Sequence, residues 1–565
     1  MIKTKLKNII SVRHPGVNFD IFIPPDEKMG DYSTNAAFVS AKKAGKNPMK
    51  VGEELADDLG KDKGLTDIFE KIEVVKPGFV NFFLKKDFFQ TQLGEIHKNL
   101  DSFGRSGAGN GKTVIVDYSG TNIAKPMHVG HLRSTIIGDG LANVYEFLGY
   151  KVIRWNYIGD WGTQFGKLIA AYKMWGNERD LKDNPIKTML DLYVRFHEEL
   201  KTEPSLEERG REEFQKLEKG DAENKALWKM FRSYSIDEFD ASFKRLGINF
   251  DITKGESDYE SKIKDVFKLA EDAEILKKSE GADIIEINGL PPALLRKSDG
   301  ASLYITRDIA SLKDRLDSYN PEKILYVVAN QQALHFEQLF AIAKKLGWTE
   351  VELQHVKFGM VLGEDGKKLA TREGKVIPLQ EVIDKITALA RKVVTQKNSA
   401  LSEEEISAIA QTVGIGALKY NDLKQHPYSD ITFDWEAMLN FTGNSGPYLQ
   451  YTYARLMSIL TKSENRASEK ANAALLEDPK EQKIMKQILE FPEAIEKCAE
   501  LHTLNGLALY LYELANDTNS FYESIRILSD ENIERRNARL MLVETVASIL
   551  ERGLGLLGIS VLKKI

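Results

Sequence analysis

The chain has 565 residues, a length that predicts three or four domains. Its composition, with 42% hydrophobic and 29% charged residues, excludes a disordered chain. The net charge of −6 is unfavourable for binding nucleic acid unless the basic side chains are gathered on one face. No apolar run is long enough to cross a bilayer, and the segment 1–16 has too short an apolar stretch for a secretory signal, so we expect a cytoplasmic protein that does not bind membranes.

The first 106 residues have the pattern of a small α/β domain. Residues 18–25 predict a strand, and residues 34–59 have apolar side chains at helical spacing. Residues 72–84 again predict strand structure, interrupted by a Pro-Gly turn at 77–78.

The stretch 106–113 nearly matches a phosphate-binding loop. It departs from the pattern only in having Ser106 at the first glycine. Such a loop needs a helix after it, whereas a β-branched run follows here. We therefore interpret the stretch as an interdomain linker.

A strand, a loop and a helix are predicted around two histidines. The run at 113–118 is apolar and β-branched, and apolar residues recur at helical spacing over 132–148. His128 and His131 are three residues apart at the start of this helix, so both imidazoles lie on one face beside a helix N-terminus, which favours anions. Gly130 between them leaves room for a flat ring or a sugar. This arrangement indicates phosphate chemistry.

A second strand at 150–157 completes a β-α-β unit and predicts a doubly wound parallel sheet. Trp161, between two glycines, follows this strand at the edge where such sheets bind ligands. We interpret the charged, helical stretch 173–280 as an insertion. The His-Glu pair at 197–198 is followed by Lys201 where a metalloprotease helix has its second histidine, so we predict no metal site.

The second half of the sheet is predicted to begin near residue 283. Residues 302–306 are interpreted as a strand and 323–328 as a buried strand, each followed by polar residues placed to bind a small ligand. Asp308 opens the helix after the first of these strands, where it acts either as a first-turn acid or as a ligand-binding carboxylate. From residue 376 the pattern is helical to the end. In this region the single cysteine, Cys498, is expected to be a packed thiol; one cysteine excludes an internal disulfide.

Several strings of sequence resemble one enzyme family. The string from His128 to His131 resembles the HIGH signature of class I aminoacyl-tRNA synthetases, and with residues 122–125 and 132–135 it is similar to arginyl-tRNA synthetases in particular. Further strings similar to that family lie at 30–36, 77–82, 159–166, 416–420 and 446–455. The resemblance implies an α/β fold with three domains: a small tRNA-contacting α/β domain at 1–106, a Rossmann-like catalytic domain at 107–375, and an all-α anticodon-binding domain at 376–565.

The resemblance also implies an arginine–tRNA ligase that uses ATP with Mg²⁺. Arginine would attack the α-phosphorus of ATP to give arginyl-adenylate and pyrophosphate, and the arginyl group would then pass to the 3′-terminal adenosine of tRNA(Arg). Residues 368–372 resemble a degenerate KMSKS loop in which Thr371 replaces the second lysine. The resemblance implies that Lys125, just before the HIGH string, contacts the ATP phosphates in place of that lysine. The catalytic and ATP-binding residues implied by the resemblance are Lys125, His128, Gly130, His131 and Lys368.

An arginine substrate requires carboxylates, because the planar guanidinium pairs best with paired oxygens. The family match implies that Asp308 and Glu256 bind the guanidinium, with Tyr304 beside them. It assigns the α-amino and α-carboxylate end of arginine to Asp117, Asn122 and Gln332.

The resemblance places tRNA contacts at both ends of the chain, and we expect a monomer. In the N-terminal domain the matching residues are Phe79 and Asn81, with Phe83 as a further possibility; core packing explains the aromatic residues equally well, but Asn81 less easily. In the helical domain, aromatic and basic side chains could stack on bases or meet phosphates, although helical spacing requires some of them to face the core. These side chains are Tyr448, Tyr451, Tyr453 and Arg455.

Two other functions are open to such a sequence. A small-molecule nucleotidylyltransferase would explain the phosphate site, but it leaves the terminal domains without a purpose. A non-catalytic tRNA-binding relative would be expected to lose the histidines or the pocket acids, and all of them are present.

Overall fold

Four antiparallel strands and five helices make up the N-terminal unit of the computed structural model, which describes residues 2–123, 125–298, 300, 303–363, 366, 377–397, 401–463 and 471–565. The strands pair in the order β1-β2-β4-β3. The strands are β1 (Ile21–Phe22), β2 (Tyr32–Thr34), β3 (Phe69–Val75) and β4 (Phe79–Leu84), and the helices are α1 (Ile2–Arg13), α2 (Ala36–Ala44), α3 (Pro48–Leu59), α4 (Lys63–Thr66) and α5 (Lys86–Lys98).

The predicted elements of this unit are present with altered bounds. The strand predicted over 18–25 contains only two paired residues, and the helical stretch 34–59 is two helices. The break occurs because Gly45 ends α2 in the left-handed conformation, with φ of 65°, and Asn47 caps α3 by accepting a hydrogen bond from the Met49 N–H.

A parallel sheet of five strands forms the centre of the chain, in the order β12-β11-β5-β6-β7. Alternate side chains of its middle strand pack into two separate cores on opposite faces of the sheet. Val114 and Val116 pack with the histidine-bearing helix, and Ile115 packs with the helices of the other face. The strands of the sheet are β5 (Thr113–Asp117), β6 (Lys151–Ile158), β7 (Ile252–Gly255), β11 (Lys323–Ala329) and β12 (Glu352–Phe358).

Helices cover both faces of this sheet, as the doubly wound prediction requires. The edge strand β7 lies within the stretch 173–280, so the inserted helices run from Glu178 to Leu246 and the chain then returns to the sheet. The helices of this part are α6 (Val129–Phe147), α7 (Thr163–Trp175), α8 (Glu178–Asp183), α9 (Pro185–Glu199), α10 (Ser205–Lys219), α11 (Ala222–Leu246), α12 (Ile263–Asp272), α13 (Tyr304–Tyr319) and α14 (Ala333–Lys345).

Two predictions for the second half of the sheet were wrong. The region near 283 forms a separate antiparallel sheet of β8 (Leu276–Ser279), β9 (Ala282–Ile287) and β10 (Leu290–Arg296). Residues 304–306, predicted as strand, form the first turn of α13. Helical spacing of Ile305, Ile309 and Leu312 buries one face of this helix and outweighs the local β-preference.

The C-terminal part is helical and contains one short pair of parallel strands, in which Val361 pairs with Ile431. Cys498 is buried there, and burial raises its pKa to about 12, which confirms the packed thiol. Within the described ranges no helix has the length and apolar character needed to span a bilayer. The remaining elements are β13 (Val361–Leu362), β14 (Ile431–Thr432), α15 (Leu379–Lys397), α16 (Glu403–Leu423), α17 (Trp435–Met438), α18 (Gly446–Lys462), α19 (Pro479–Ile488), α20 (Phe491–Leu501), α21 (Asn505–Ser524) and α22 (Ile533–Leu556).

The near-match to a phosphate-binding loop does not present its amides to a ligand. The Gly109 N–H donates to the Leu148 carbonyl and the Gly111 N–H donates to the Gly149 carbonyl, both at 3.0 Å. The strand β5 starts immediately afterwards, which agrees with the interpretation as a linker.

Candidate active site

The two histidines lie together at the N-terminus of α6, at the carboxyl edge of the parallel sheet. The ring centroids of His128 and His131 are 3.8 Å apart. His128 caps the helix, because its Nδ1 accepts from the Gly130 N–H at 3.0 Å, and the Nδ1 of His131 accepts from the His128 N–H at 3.2 Å. Since Nδ1 accepts in both rings, the proton of each neutral ring is on Nε2.

Burial keeps His131 neutral. Burial first, and the neighbouring His128 second, lower the pKa of His131 to about 3. At physiological pH this side chain therefore offers an N–H donor rather than a positive charge.

A cavity of about 490 Å³ opens beside the histidine pair. Gly130 is needed at its rim, because a Cβ there would lie 2.8 Å from Cε1 of His128. Such a volume is in the range of small-molecule sites. Its walls include Asp117, Ser119, Gly120, Ser134, Val327, Gln332, Phe358, Gly359, Met360 and Val361.

The loop between β5 and α6 is held by hydrogen bonds to its neighbours. The Ser134 hydroxyl accepts from the Ser119 N–H at 2.9 Å and donates to the Val327 carbonyl at 2.5 Å. Asn122 is exposed and lies against Gly159, where a Cβ would come within 2.0 Å of its Oδ1. Both serine contacts fix the backbone that carries the predicted ligand-binding residues.

Asp117 is buried at the end of β5 and is paired with a buried arginine. Its Oδ2 accepts from Nη2 of Arg315 at 2.7 Å. The guanidinium of Arg315 also lies 4.6 Å from the ring centroid of Trp155, and its Nε and Nη1 have no hydrogen-bond partner among the described residues. Burial raises the pKa of Asp117, and Arg315 opposes this shift.

Glu256 follows β7 and is buried beside a second acid. Burial, then the charge of Asp308, raise the pKa of Glu256 to about 8, and no described residue forms a hydrogen bond with its Oε2. The next residue, Ser257, donates to Asp160 through its N–H at 2.9 Å and its hydroxyl at 2.8 Å. Asp160 is fully buried and also accepts from Nε of Arg232 at 2.8 Å, so it anchors the backbone of Glu256 to α11.

Asp308 lies in the second turn of α13 and is hydrogen-bonded to a histidine, with 2.6 Å between its Oδ2 and Nε2 of His335. Burial lowers the pKa of His335, but the hydrogen bond to Asp308 and the Asp308 charge outweigh it, so the pKa is raised. Tyr304, one turn before Asp308, is 54% exposed. The Tyr157 hydroxyl is buried and has no hydrogen-bond partner within the part of the chain that the structure describes. Burial, then the charges of Asp308 and Glu256, raise its pKa well above the usual value.

Of the two predicted lysines, Lys125 is among the described residues. Lys125 is exposed, and its Nζ lies 4.7 Å from the ring centroid of Tyr193 on the inserted helix α9. Lys368 and Thr371 lie outside the described residues.

Asn81 corrects an expectation for the N-terminal unit, because it is a core residue. It is 2% exposed, and its Oδ1 accepts from the Ser33 hydroxyl across the sheet at 2.7 Å. Phe79 is partly buried and its ring is parallel to that of Phe38, with centroids 6.4 Å apart. Phe83 is partly buried, and Nζ of Lys71 lies 4.9 Å from its ring centroid.

In the helical region, the aromatic residues of α18 divide between core and surface. Tyr453 is buried, whereas Tyr451 and Arg455 line a groove of about 830 Å³. The Arg455 guanidinium lies 5.1 Å from the ring centroids of both Tyr451 and Tyr522. The hydroxyl of Tyr448 accepts from the Asn519 side chain at 3.0 Å, so its polar end is already engaged.

Models of known families match the chain from end to end. The family described as tRNA synthetases class I (R), catalytic domain, matches residues 95–435. The arginyl tRNA synthetase N terminal domain matches residues 1–84, and the DALR anticodon binding domain matches residues 449–565. The chain belongs to the arginyl-tRNA synthetase family.

Relatives in the family match over nearly the whole length. The arginine–tRNA ligase of Fusobacterium nucleatum is 40% identical over 96% of this chain and 95% of its own length, and that of Enterococcus faecalis is 42% identical over 93% and 92%. The crystal structure of arginyl-tRNA synthetase from Plasmodium falciparum is 30% identical, covers 100% of this chain and 98% of its own, and has a TM-score of 0.85. The Thermus thermophilus arginyl-tRNA synthetase is 25% identical, covers 100% of both chains and has a TM-score of 0.86. These matches confirm the predicted family and fold class.

The roles of four polar residues of the site were missed from the sequence. Arg315 is seven residues after Asp308, which places both on one helix face, and this spacing could have revealed it. His335 had no comparable signal, since it is 27 residues from its partner Asp308. Asp160 and Arg232 are 72 residues apart, so only the folded insertion brings them together.

Proposed function

We propose that this chain joins L-arginine to tRNA(Arg) in two steps, through arginyl-adenylate. The observation that carries the proposal is a set of three carboxylates at the carboxyl edge of the sheet whose histidine-bearing helix borders a ligand-sized cavity: Asp117 and Glu256, which are buried, and Asp308, which is partly buried. Membership of the arginyl-tRNA synthetase family supports the same reaction.

The guanidinium of arginine would bind between Glu256 and Asp308. A planar cation with several donors would pair with both carboxylates and would favour the ionised form of Glu256, whose pKa is raised by burial. Tyr304 would close the exposed side of this pocket. Asp160 is assigned a supporting role, since it holds the backbone next to Glu256.

The α-amino and α-carboxylate end would be held nearer the cavity by Asp117, Asn122 and Gln332. Of these, Asp117 and Gln332 line the cavity wall. The Arg315 contact fixes the orientation of Asp117. With its α-amino and α-carboxylate end held in this way, arginine would direct its attacking carboxylate towards the histidine pair.

The phosphates of ATP would meet the Nε2–H donors of His128 and His131, with the nucleotide passing over Gly130. Catalysis of this step consists of positioning and of stabilising charge on phosphate oxygens, and needs no covalent nucleophile. Lys125 and Lys368 are assigned to the same phosphates. Mg²⁺ bound to the nucleotide would screen their charge. Among the described residues there is no group of three or more His, Cys, Asp or Glu suited to a metal.

For the second step we propose a monomer that binds tRNA across three domains, at 1–106, 107–375 and 376–565, in the cytoplasm. Phe79, Tyr448, Tyr451 and Arg455 are the proposed tRNA contacts, and the groove beside Tyr451 and Arg455 has the aromatic and basic lining that splayed bases require. Asn81 is assigned an indirect role, through the strand that carries Phe79, because it is buried.

The test is arginine-dependent exchange of labelled pyrophosphate into ATP, with and without tRNA(Arg), and with lysine and glutamine as controls. Exchange with arginine alone among the three amino acids supports the proposal. Exchange that also requires tRNA adds that the tRNA completes the active site. No exchange under any condition, with tRNA still bound, would favour a non-catalytic tRNA-binding protein.

A further inference from the structure

Arg133, two residues after His131, is the most completely buried charge next to the cavity. Its side chain has no exposed surface, so each of its donors needs a partner. Its Nε donates to both oxygens of Asp422, at 3.1 and 3.2 Å. Its Nη1 and Nη2 donate to the carbonyl oxygens of Ser429 and Pro427, at 2.8 and 3.3 Å. The histidine-bearing helix is therefore fastened, from its second turn, to α16 and to the chain that follows it.

The segment that accepts hydrogen bonds from Arg133 also forms hydrogen bonds with the part of the chain that precedes Lys368. We call this segment, residues 427–433, the strap. The Pro427 carbonyl accepts from the Gly359 N–H at 3.0 Å, and the carboxylate of Asp430 accepts from the Met360 N–H at 2.6 Å. Strand β13 then pairs in parallel with β14 of the strap. Because residues 359–361 form one wall of the cavity, the strap connects that wall to the histidine-bearing helix.

We propose that Arg133 is a positioning residue for adenylate formation, which sets the distance between the histidine pair and the opposite cavity wall through the strap. This inference rests on the function proposed above. Arg133 does not need to touch substrate for this role. Its planar fork reaches one carboxylate and two carbonyls at once, which a lysine cannot reproduce.

A second buried pair joins the same two helices and provides a matched control. Lys419 of α16 lies 3.8 Å from Asp139 of α6 and donates to the Gly558 carbonyl at 2.7 Å. Asp139 is six residues beyond Arg133, which is roughly 9 Å further along the helix. None of the hydrogen bonds of this pair involves the strap. Weakening it tests the effect of a looser helix contact without altering the cavity wall.

The experiment compares Arg133→Lys, Asp430→Ala and Asp139→Asn with the unaltered chain. Pyrophosphate exchange gives kcat and the KM for arginine, ATP binding is measured separately without arginine, and thermal unfolding monitors the fold. Arg133→Lys is expected to lower kcat by about 10²-fold, the cost of a misplacement near 1 Å, and to weaken ATP binding with little change in the KM for arginine. Asp430→Ala, at an exposed position, is expected to shift the same two quantities by a smaller factor.

Asp139→Asn is expected to lower thermal stability while leaving the kinetics of the folded enzyme unchanged. Equal losses of kcat and ATP binding in Asp139→Asn and Arg133→Lys, or normal kinetics in folded Arg133→Lys, would overturn the proposal. If the unaltered chain shows no exchange with arginine even when tRNA(Arg) is present, the proposed function fails; the ATP-binding comparison then still decides whether Arg133 and the strap position the cavity wall.

Discussion

The acid end and the histidine end of the candidate active site use burial in opposite ways. At the acid end, burial raises the pKa of Glu256 to about 8 and also raises that of Asp117. At the histidine end, burial lowers the pKa of His131 to about 3. In both places the low dielectric disfavours the charged form of the side chain.

The two ends differ in the charge of the ligand group that each would bind. A buried carboxylate with a raised pKa is stabilised in its ionised form when a cation such as the guanidinium of arginine binds beside it. A neutral imidazole whose Nδ1 is already engaged offers a fixed N–H donor, which suits a phosphate oxygen. With the proposed function, the same edge of one sheet would hold a cation site close to an anion site, and substitutions at the two ends should then affect different substrates.

The largest effect is expected for Asp308→Ala at the acid end. Removing one partner of a buried charge pair costs about 2–5 kcal/mol, which corresponds to a rise of about 30-fold to several thousand-fold in the KM for arginine. Asp308→Asn, which keeps the shape of the side chain, is the matched control for charge. Steady-state kinetics with each substrate varied in turn measure this, and equal changes in the KM values for arginine and ATP would contradict the pocket assignment.

His131→Ala tests the histidine end, with an expected loss of about 10²–10³-fold in kcat of pyrophosphate exchange because a phosphate-facing donor is removed. The KM for arginine should change little. Because the pKa of His131 is about 3, this residue should contribute nothing to the pH dependence between pH 5 and 8. An effect of the substitution that varied with pH in this range would show that His131 acts as a cation.

Gly130→Ala tests whether the histidine geometry matters independently of stability. The added Cβ would lie 2.8 Å from the His128 ring, and such overpacking costs about 1–3 kcal/mol, here expected as weaker ATP binding. The alanine itself favours a helix, so thermal stability should not fall by a comparable amount. A parallel drop in melting temperature and ATP affinity would indicate a folding defect instead.

The smallest effect is the pH dependence set by Glu256. Its pKa lies above the ordinary value for a glutamic acid, so the carboxyl is largely neutral at pH 7 and ionises as the pH rises through about 8. Because the ionised form pairs with the guanidinium, kcat/KM for arginine should rise about tenfold per pH unit below this pKa and level off above it. Glu256→Gln should abolish the rise, whereas a profile that keeps the same rise would assign it to another group.

Much of the site could be predicted from the sequence because its parts are local. The strand, loop and helix around His128 and His131 follow from a β-branched run, a turn and helical spacing within about 35 residues of chain. Asp117 and Glu256 lie at the ends of strands, where a parallel sheet exposes its ligand-binding edge, and Asp308 lies in the second turn of α13. The predicted strand at 304–306 failed because the burial of one face of α13 outweighed local β-preference.

Other features depended on contacts between distant segments. Asn81 looked like a surface residue in sequence, but the opposing strand supplies Ser33 as its partner inside the sheet. Lys125 is assigned to the phosphates from its place in the sequence, and only the folded chain shows that the inserted helix α9 brings the Tyr193 ring to 4.7 Å from its ammonium.

The sequence by itself determined the family, the doubly wound fold, and the identity of the histidines and acids, since these rest on short-range patterns and on residue type. Only the tertiary structure decided their protonation and their supports. Burial, which depends on the whole packed domain, lowers the pKa of His131 and raises that of Glu256. The anchoring pairs Asp117–Arg315 and Arg133–Asp422 join residues 198 and 289 positions apart, and no local pattern encodes such a distance.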